Sequence, residues 1–210
     1  MYYMETVFTT IYENKSWGDN ENANYNGSSG PGSSLVHNQK SYVPLLQHLI
    51  KLKNIKSVVD LGCGDFLCGP AIYNSLDVSY VGYDTYKKII DYNTQQHEQS
   101  ARKYSFVHLD FYAKKEEIVG GDLCILKDVL MHWPLKEIYT FLDYLVTSKK
   151  FKYILICNCC DQTRHNPEIE IGSWRALSRD FLPLKRYNPK KLFIFQSNNK
   201  KEVSIIHVNT

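Results

Sequence analysis

The sequence predicts an α/β fold: a mostly parallel sheet of seven strands with helices on both faces, ending in an antiparallel hairpin. Three observations predict it. Short apolar or β-branched runs alternate with segments of helical period from Ser57 to Cys157, the pattern of successive crossover units. The first run leads into a glycine-rich turn, Gly62-Cys63-Gly64. The last two runs are joined only by Ser197-Asn198-Asn199-Lys200-Lys201, a link too short for a parallel crossover.

Taken in order, residues 14–34 read as a polar loop, with Trp17 in its middle and Gly27-Ser28-Ser29-Gly30-Pro31-Gly32-Ser33-Ser34 at its end. Tyr42, Leu45, Leu46, Leu49, Ile50 and Leu52 recur at helical spacing. Ser57 to Leu61 is the first strand, Pro70 to Leu76 a helix, and Tyr80 to Asp84 the second strand. Tyr86 to Ser100 is a helix and Tyr104 to Leu109 the third strand. Asp110 to Val119 is a short helical crossover, and Asp122 to Leu126 the fourth strand. Pro134 starts a helix as its first residue, with Leu135, Ile138, Leu142 and Leu145 on one face. Tyr153 to Cys157 is the fifth strand, and Leu192 to Gln196 with Val203 to Val208 form the hairpin. The chain divides into an N-terminal segment, 1–40, and one α/β core, 41–210.

Composition excludes several classes. At 43% hydrophobic and 22% charged residues the chain is globular. A net charge of +3 is too small to argue for nucleic acid or a membrane surface. No run approaches the ~20 apolar residues of a membrane span, and Met1 to Thr10 lacks the pattern of a secretory signal. With six cysteines and no such signal, reduced thiols and a cytoplasmic setting are expected. Cys157, Cys159 and Cys160 crowd an apolar run and read as buried and inert, since a zinc site would need a second ligand pair.

The chemistry concentrates at strand ends. Asp60-Leu61-Gly62-Cys63-Gly64 follows a buried strand, where a ligand meets an open α/β sheet. Leu67 stands where a dinucleotide fingerprint needs its third glycine, so the turn suits a nucleoside ligand without a pyrophosphate. Asp84 ends the second strand, where a carboxylate accepts both hydroxyls of a ribose. Asp110 ends the third, and Phe111 beside it offers a ring to an adenine. An isolated Asp at any of these places is ordinarily a helix N-cap; three at consecutive strand ends point to a site.

These residues, with the run from Asp122 to Trp133, resemble the class I S-adenosylmethionine-dependent methyltransferases, a Rossmann-like fold. The likeness implies S-adenosyl-L-methionine as cofactor and S-adenosyl-L-homocysteine as product. It implies that Asp84 serves the ribose, that Asp110 and Phe111 serve the adenine, and that Asp60, Gly62 and Gly64 lie beside the methionyl part. Phe66 replaces a glycine common in that family. A narrower likeness links Ser16-Trp17-Gly18, Ser29-Gly30-Pro31-Gly32-Ser33, Cys63-Gly64-Asp65-Phe66 and Gly172-Ser173-Trp174-Arg175 to small methyltransferases of bacteria and large viruses that accompany glycan-building glycosyltransferases. It implies that 1–40 is a lid, with Trp17, Gly18, Ser33 and Lys127 among the cofactor contacts, and that Gly172 to Arg175 belong to the acceptor wall. A viral member would work in the host cytoplasm.

The expected reaction is methylation of a sugar hydroxyl on a glycan, a deoxyhexose such as rhamnose being the first choice. The alternatives are a non-sugar small molecule as acceptor and a non-catalytic cofactor-binding partner. A hydroxyl needs a base as its bond to the methyl forms. His132, just past the fourth strand, is the candidate, with capping or packing as its other reading. Asp128 lies four residues earlier and shares a face with it if the segment is helical. Trp133 and Trp174 are candidate sugar platforms, though Trp more often packs a core. Trp17 would add a cation–π contact to a sulfonium. Arg164, His165 and Arg175 are candidate acceptor ligands in the long loop from Asp161 to Asp180, Arg175 having a second reading as an ion pair with Glu168 or Glu170. No clustered carboxylate set for a metal is evident; Asp128 and Asp161 would form part of one.

Overall fold

The structure, a computed structural model, describes residues 3–20, 24–101, 103–161 and 164–208. In chain order the elements are α1 (Tyr3–Glu13), α2 (Leu35–Asn38), α3 (Tyr42–Leu52), β1 (Ser57–Leu61), α4 (Gly69–Tyr73), β2 (Ser79–Asp84), α5 (Lys87–Gln96), β3 (Tyr104–His108), β4 (Gly121–Lys127), α6 (Leu135–Thr147), β5 (Phe151–Cys159), β6 (Lys190–Gln196) and β7 (Lys200–His207). All seven strands join one sheet in the order β3-β2-β1-β4-β5-β7-β6. The first five pair in parallel, and β7 runs antiparallel to both β5 and β6. Strand order reverses between β1 and β4, which opens a crevice beyond their carboxyl ends.

Alternation along the central strands feeds two cores. Val59, Leu61, Cys124, Leu126, Ile154 and Ile156 face α6, which buries Ile138, Phe141, Leu142 and Leu145 at spacings of three and four. Val58, Leu123, Ile125, Leu155 and Cys157 face α3 through Leu46, Leu49 and Ile50. Burying a Leu or Ile side chain contributes about 1.5–3 kcal/mol, so these layers fix the register of the sheet. Among the described residues no helix is long and apolar enough to cross a membrane.

Four local differences from the sequence reading have physical causes. The segment Tyr3–Glu13 is a helix rather than loop, because Met4 and Tyr12 bury at 3% and 4% exposure against the core. Residues 110–119 hold only turns and a short 3-10 stretch, Lys115–Glu117, in place of a helical crossover. Pro134 is the cap before α6, not its first residue; the Glu168 carboxylate accepts the Leu135 amide at 2.9 Å. Asp128 and His132 do not share a helix face, because Asp128 has a left-handed backbone (φ 58°) and only Leu130–His132 forms a 3-10 turn.

α1 is bound to the 172–175 segment by a close approach. Gly172 has φ 82°, and a Cβ there would lie 2.7 Å from Ile11 Cδ1 and 2.8 Å from Val7 Cγ1. Gly172→Ala is expected to destabilise the chain by roughly 1–3 kcal/mol through overpacking and backbone strain. Urea unfolding checks it: the midpoint should fall with an unchanged slope.

Candidate active site

The turn after β1 is built for close approach. Gly62 and Gly64 have φ 85° and 54°, values that cost a side-chain-bearing residue free energy. A Cβ on Gly62 would lie 2.5 Å from Val129 Cγ2, and one on Gly64 2.5 Å from Ser29 Oγ. The Gly62 and Cys63 amides both donate to the Tyr83 carbonyl, at 2.8 and 2.9 Å. Phe66 also has a positive φ, 54°. Its buried ring packs against Tyr73, Tyr80, Tyr104 and Phe106, and that packing offsets the strain.

Besides Asp128, four carboxylates border the cavity over this turn. Asp84 accepts the amides of Gly64 and Tyr86, each at 3.0 Å; burial raises its pKa, and these amides oppose the rise. Asp60 accepts the Tyr80 hydroxyl at 2.9 Å, and burial pushes it up to about 6. Asp110 accepts the Glu5 amide in the first turn of α1 at 3.3 Å and the Ala113 amide at 3.0 Å. It therefore caps α1. Asp65 is buried beside them, its pKa raised by burial, and accepts the Ser33 hydroxyl at 3.2 Å.

Residues 12–20 and 24–33 form the roof. Tyr12 stacks on Tyr86 with centroids 4.5 Å apart and meets Ser29 Oγ at 3.0 Å. Ser29 Oγ also accepts the Asp65 amide at 3.0 Å. Lys127 Nζ donates to the Gly32 carbonyl at 2.8 Å. Trp17 packs against Phe8, Tyr12 and the His132 ring, the last with centroids 4.8 Å apart. Gly18 sits in an exposed turn that borders neither cavity.

His132 stands between two cavities. Its Nδ1 pairs with the Ser173 carbonyl at 2.9 Å, so Nδ1 carries the hydrogen and Nε2 the lone pair. Burial lowers its pKa below 6.5. Asp128 does not bond to it. Both Asp128 oxygens receive Lys201 Nζ, at 2.5 and 2.6 Å, and Lys127 Nζ reaches one of them at 2.7 Å. Burial alone would raise the Asp128 pKa, but the two ammoniums outweigh it and hold the carboxyl below its ordinary range.

Trp133 is 1% exposed and packs with Phe111, Tyr112 and Phe141, so it is a core residue and not an open platform. Its Nε1 is buried without a partner. Trp174 is 53% exposed at the second cavity. Arg175 is buried instead of forming a surface ion pair, while Arg164 and His165 are exposed and border neither cavity. Asp161 is exposed and accepts the Lys200 amide, and no group of three metal-ligating side chains converges among the described residues. All six cysteines are free thiols.

The first cavity, about 1050 Å³ including space open to solvent, is lined by Trp17, Ser33, Asp60, Gly62, Gly64, Asp84, Asp110, Phe111, Lys127, Asp128, His132 and Trp133, among others. The second, about 620 Å³, is bordered by Trp17, Asp128, His132, Trp174 and Lys201. Sequence reasoning missed Met4, Phe8, Tyr12, Asp65 and Lys201. A signal for the first three exists in their spacing of four. Lys201 has none, since only the β5–β7 pairing brings it near Asp128.

Solved structures similar to this chain include the N-methyltransferase NodS of Bradyrhizobium japonicum WM9, in complex with S-adenosyl-L-homocysteine. It is 11% identical with TM-score 0.61, over 82% of this chain and 87% of that one. The mitomycin 7-O-methyltransferase MmcR is 14% identical with TM-score 0.58, over 79% of this chain and 53% of the other. The bifunctional kinase-methyltransferase WbdD is 14% identical with TM-score 0.58, over 81% and 39%. The chain has the class I methyltransferase fold. It spans about half the length of MmcR and two-fifths of WbdD. No family model matches the sequence, and no curated protein does. Within this fold the glycine turn and Asp84 lie at the carboxyl ends of β1 and β2, and both line the first cavity.

Asp60 gives a pH signature. Its folded-state pKa, about 6, exceeds the ordinary 3.8, so the folded chain binds the extra proton between those values. Stability is therefore lost as pH rises through that window. Asp60→Asn should change stability little at pH 4 and raise it at pH 7 by up to roughly 3 kcal/mol. Denaturant titrations at both pH values read this out, and a gain equal at both would exclude it.

Proposed function

We propose that the chain is an S-adenosylmethionine-dependent methyltransferase acting on an oxygen, with a sugar hydroxyl of a glycan as acceptor and a deoxyhexose as the first class to test. The carrying observation is the half-buried His132, a neutral imidazole of fixed tautomer that borders both cavities.

The residues of the first cavity suit the cofactor. The glycine turn brings backbone to the cavity edge, where positive φ and the close approach of Val129 and Ser29 exclude a side chain. Asp84 offers a fixed carboxylate to the ribose. Phe111 supplies a flat apolar wall, and the unpartnered Trp133 Nε1 a donor. Asp110 reaches the cavity while capping α1, so the same carboxyl would serve adenine and roof. Ser33 and Lys127 hold the roof at the turn, and NodS carries a cofactor product in the same fold.

When bound, S-adenosylmethionine supplies a methyl group on a sulfonium, and the chain's task is to aim and deprotonate the acceptor. His132 Nε2 accepts the hydroxyl proton, while the Ser173 carbonyl holds the ring in place through Nδ1. Trp17 covers the ring and excludes water. Trp174, exposed at the second cavity, offers its face to a pyranose. Asp128 acts on this site by holding Lys127 and Lys201. The domain would serve beside a glycan-building glycosyltransferase, and WbdD is a case of this fold within a longer, bifunctional chain.

Asp84→Ala should weaken S-adenosyl-L-homocysteine binding by about 1.5–3 kcal/mol, tenfold or more in Kd by calorimetry. Unchanged affinity would remove the ribose role. His132→Ala should lower kcat by roughly 10²–10⁴-fold and leave cofactor affinity intact. Turnover within about twofold of the parent would remove the base. The free imidazole is the active form and its pKa lies below 6.5. The kcat profile should therefore be flat above pH 7 and fall on the acid side.

A further inference from the structure

Charge is divided unevenly across this site. Asp60, Asp65 and Asp84 collect round the glycine turn. Cations collect round His132: Lys127 and Lys201 share the single carboxylate of Asp128, and Lys201 is only 1% exposed. Arg175 adds a third positive charge. It is 2% exposed, and its Nε, Nη1 and Nη2 have no hydrogen-bond partner. Its backbone amide donates to the Met131 carbonyl, and its charge acts on the His132 ring. The opposing acid, Glu168, is exposed, and its Oε1 already accepts the amides of Leu135 and Ile169.

A buried guanidinium left without a partner is costly and is retained where something charged completes it. Three cations face the carboxylate of Asp128 and the exposed one of Glu168, which leaves a positive field round His132. The geometry points to an acceptor that carries an anionic group, a carboxylate or a phosphate, held in the second cavity beside Lys201 while its hydroxyl faces His132. This rests on the methyltransferase reading above. Lys201 borders that cavity and contacts the anion directly. Arg175 does not border it, so it is a positioning residue whose share is the field of its charge. The same field favours the negative charge that develops on the hydroxyl oxygen as its proton moves to His132. Trp174 at the rim leaves room for a ring between anion and hydroxyl.

The test uses the full chain saturated with S-adenosyl-L-homocysteine, so that the product's own carboxylate is accounted for. Inorganic phosphate, acetate and a neutral hexose are titrated at low salt by calorimetry and thermal shift. Phosphate or acetate should bind once per chain, weaken with added salt and outbind the neutral hexose at least tenfold; the two anion arms tell phosphate from carboxylate. Lys201→Met and Arg175→Met should each weaken the anion at least fivefold. Arg175→Met should melt no lower than the parent, because it removes an unpartnered charge, whereas a purely structural Arg would lower the melting temperature on loss. In transfer assays a uronate or hexose phosphate should exceed the matching neutral sugar at least tenfold in kcat/KM, mainly through KM. Binding of S-adenosyl-L-homocysteine without any anion binding overturns this inference alone, as does equal anion affinity in parent and Arg175→Met. Failure of S-adenosyl-L-homocysteine itself to bind overturns the methyltransferase reading.

Discussion

Asp84 is 7% exposed, and its two oxygens accept the Gly64 and Tyr86 amides at 3.0 Å each. A carboxylate withdrawn from water this far needs such donors, and each donor it recruits is thereby fixed. One amide belongs to the turn after β1, the other to the residue before α5. Asn93 on α5 closes the loop by donating to the Gly64 carbonyl at 2.8 Å. Tyr86, so positioned, is the ring on which Tyr12 stacks. The turn, the neighbouring helix and the roof thus take their positions from one buried charge.

The roof has little core of its own. It is held by contacts with groups that also border the cavities: Ser29 with the Asp65 amide, Ser33 with the Asp65 carboxyl, Gly32 with Lys127, Trp17 with His132. Asp110 caps the helix that leads into it. Such economy couples the stability of the N-terminal forty residues to the electrostatics of the site. Asp110 anchors the helix that leads into the roof, and Asp65 and Lys127 together anchor the roof's far end.

The sheet was legible because its central strands β1, β4 and β5 are largely buried apolar runs separated by helical periods, and because the terminal link is too short to cross over. The glycine turn and the three strand-end acids were legible for a related reason: the topology sends every parallel strand's carboxyl end to the same edge. What stayed hidden depends on contacts between distant parts of the chain. α1 falls in the N-terminal segment to which the sequence assigned no element, and its helix is fixed by the core that receives Met4 and Tyr12. Trp133 offers the same letters whether it lines a sugar site or fills a core, and packing against Phe141 decided it. Asp128 was paired with His132 by spacing, but a left-handed residue breaks that face and two lysines, one of them 73 residues away, claim the carboxylate.

The roof residues 12–20 and 24–33 are stitched down at Tyr12, Trp17, Ser29, Gly32 and Ser33. If this cover opens during ligand exchange, several stitches release together, and exchange takes on the microsecond-to-millisecond scale typical of such covers.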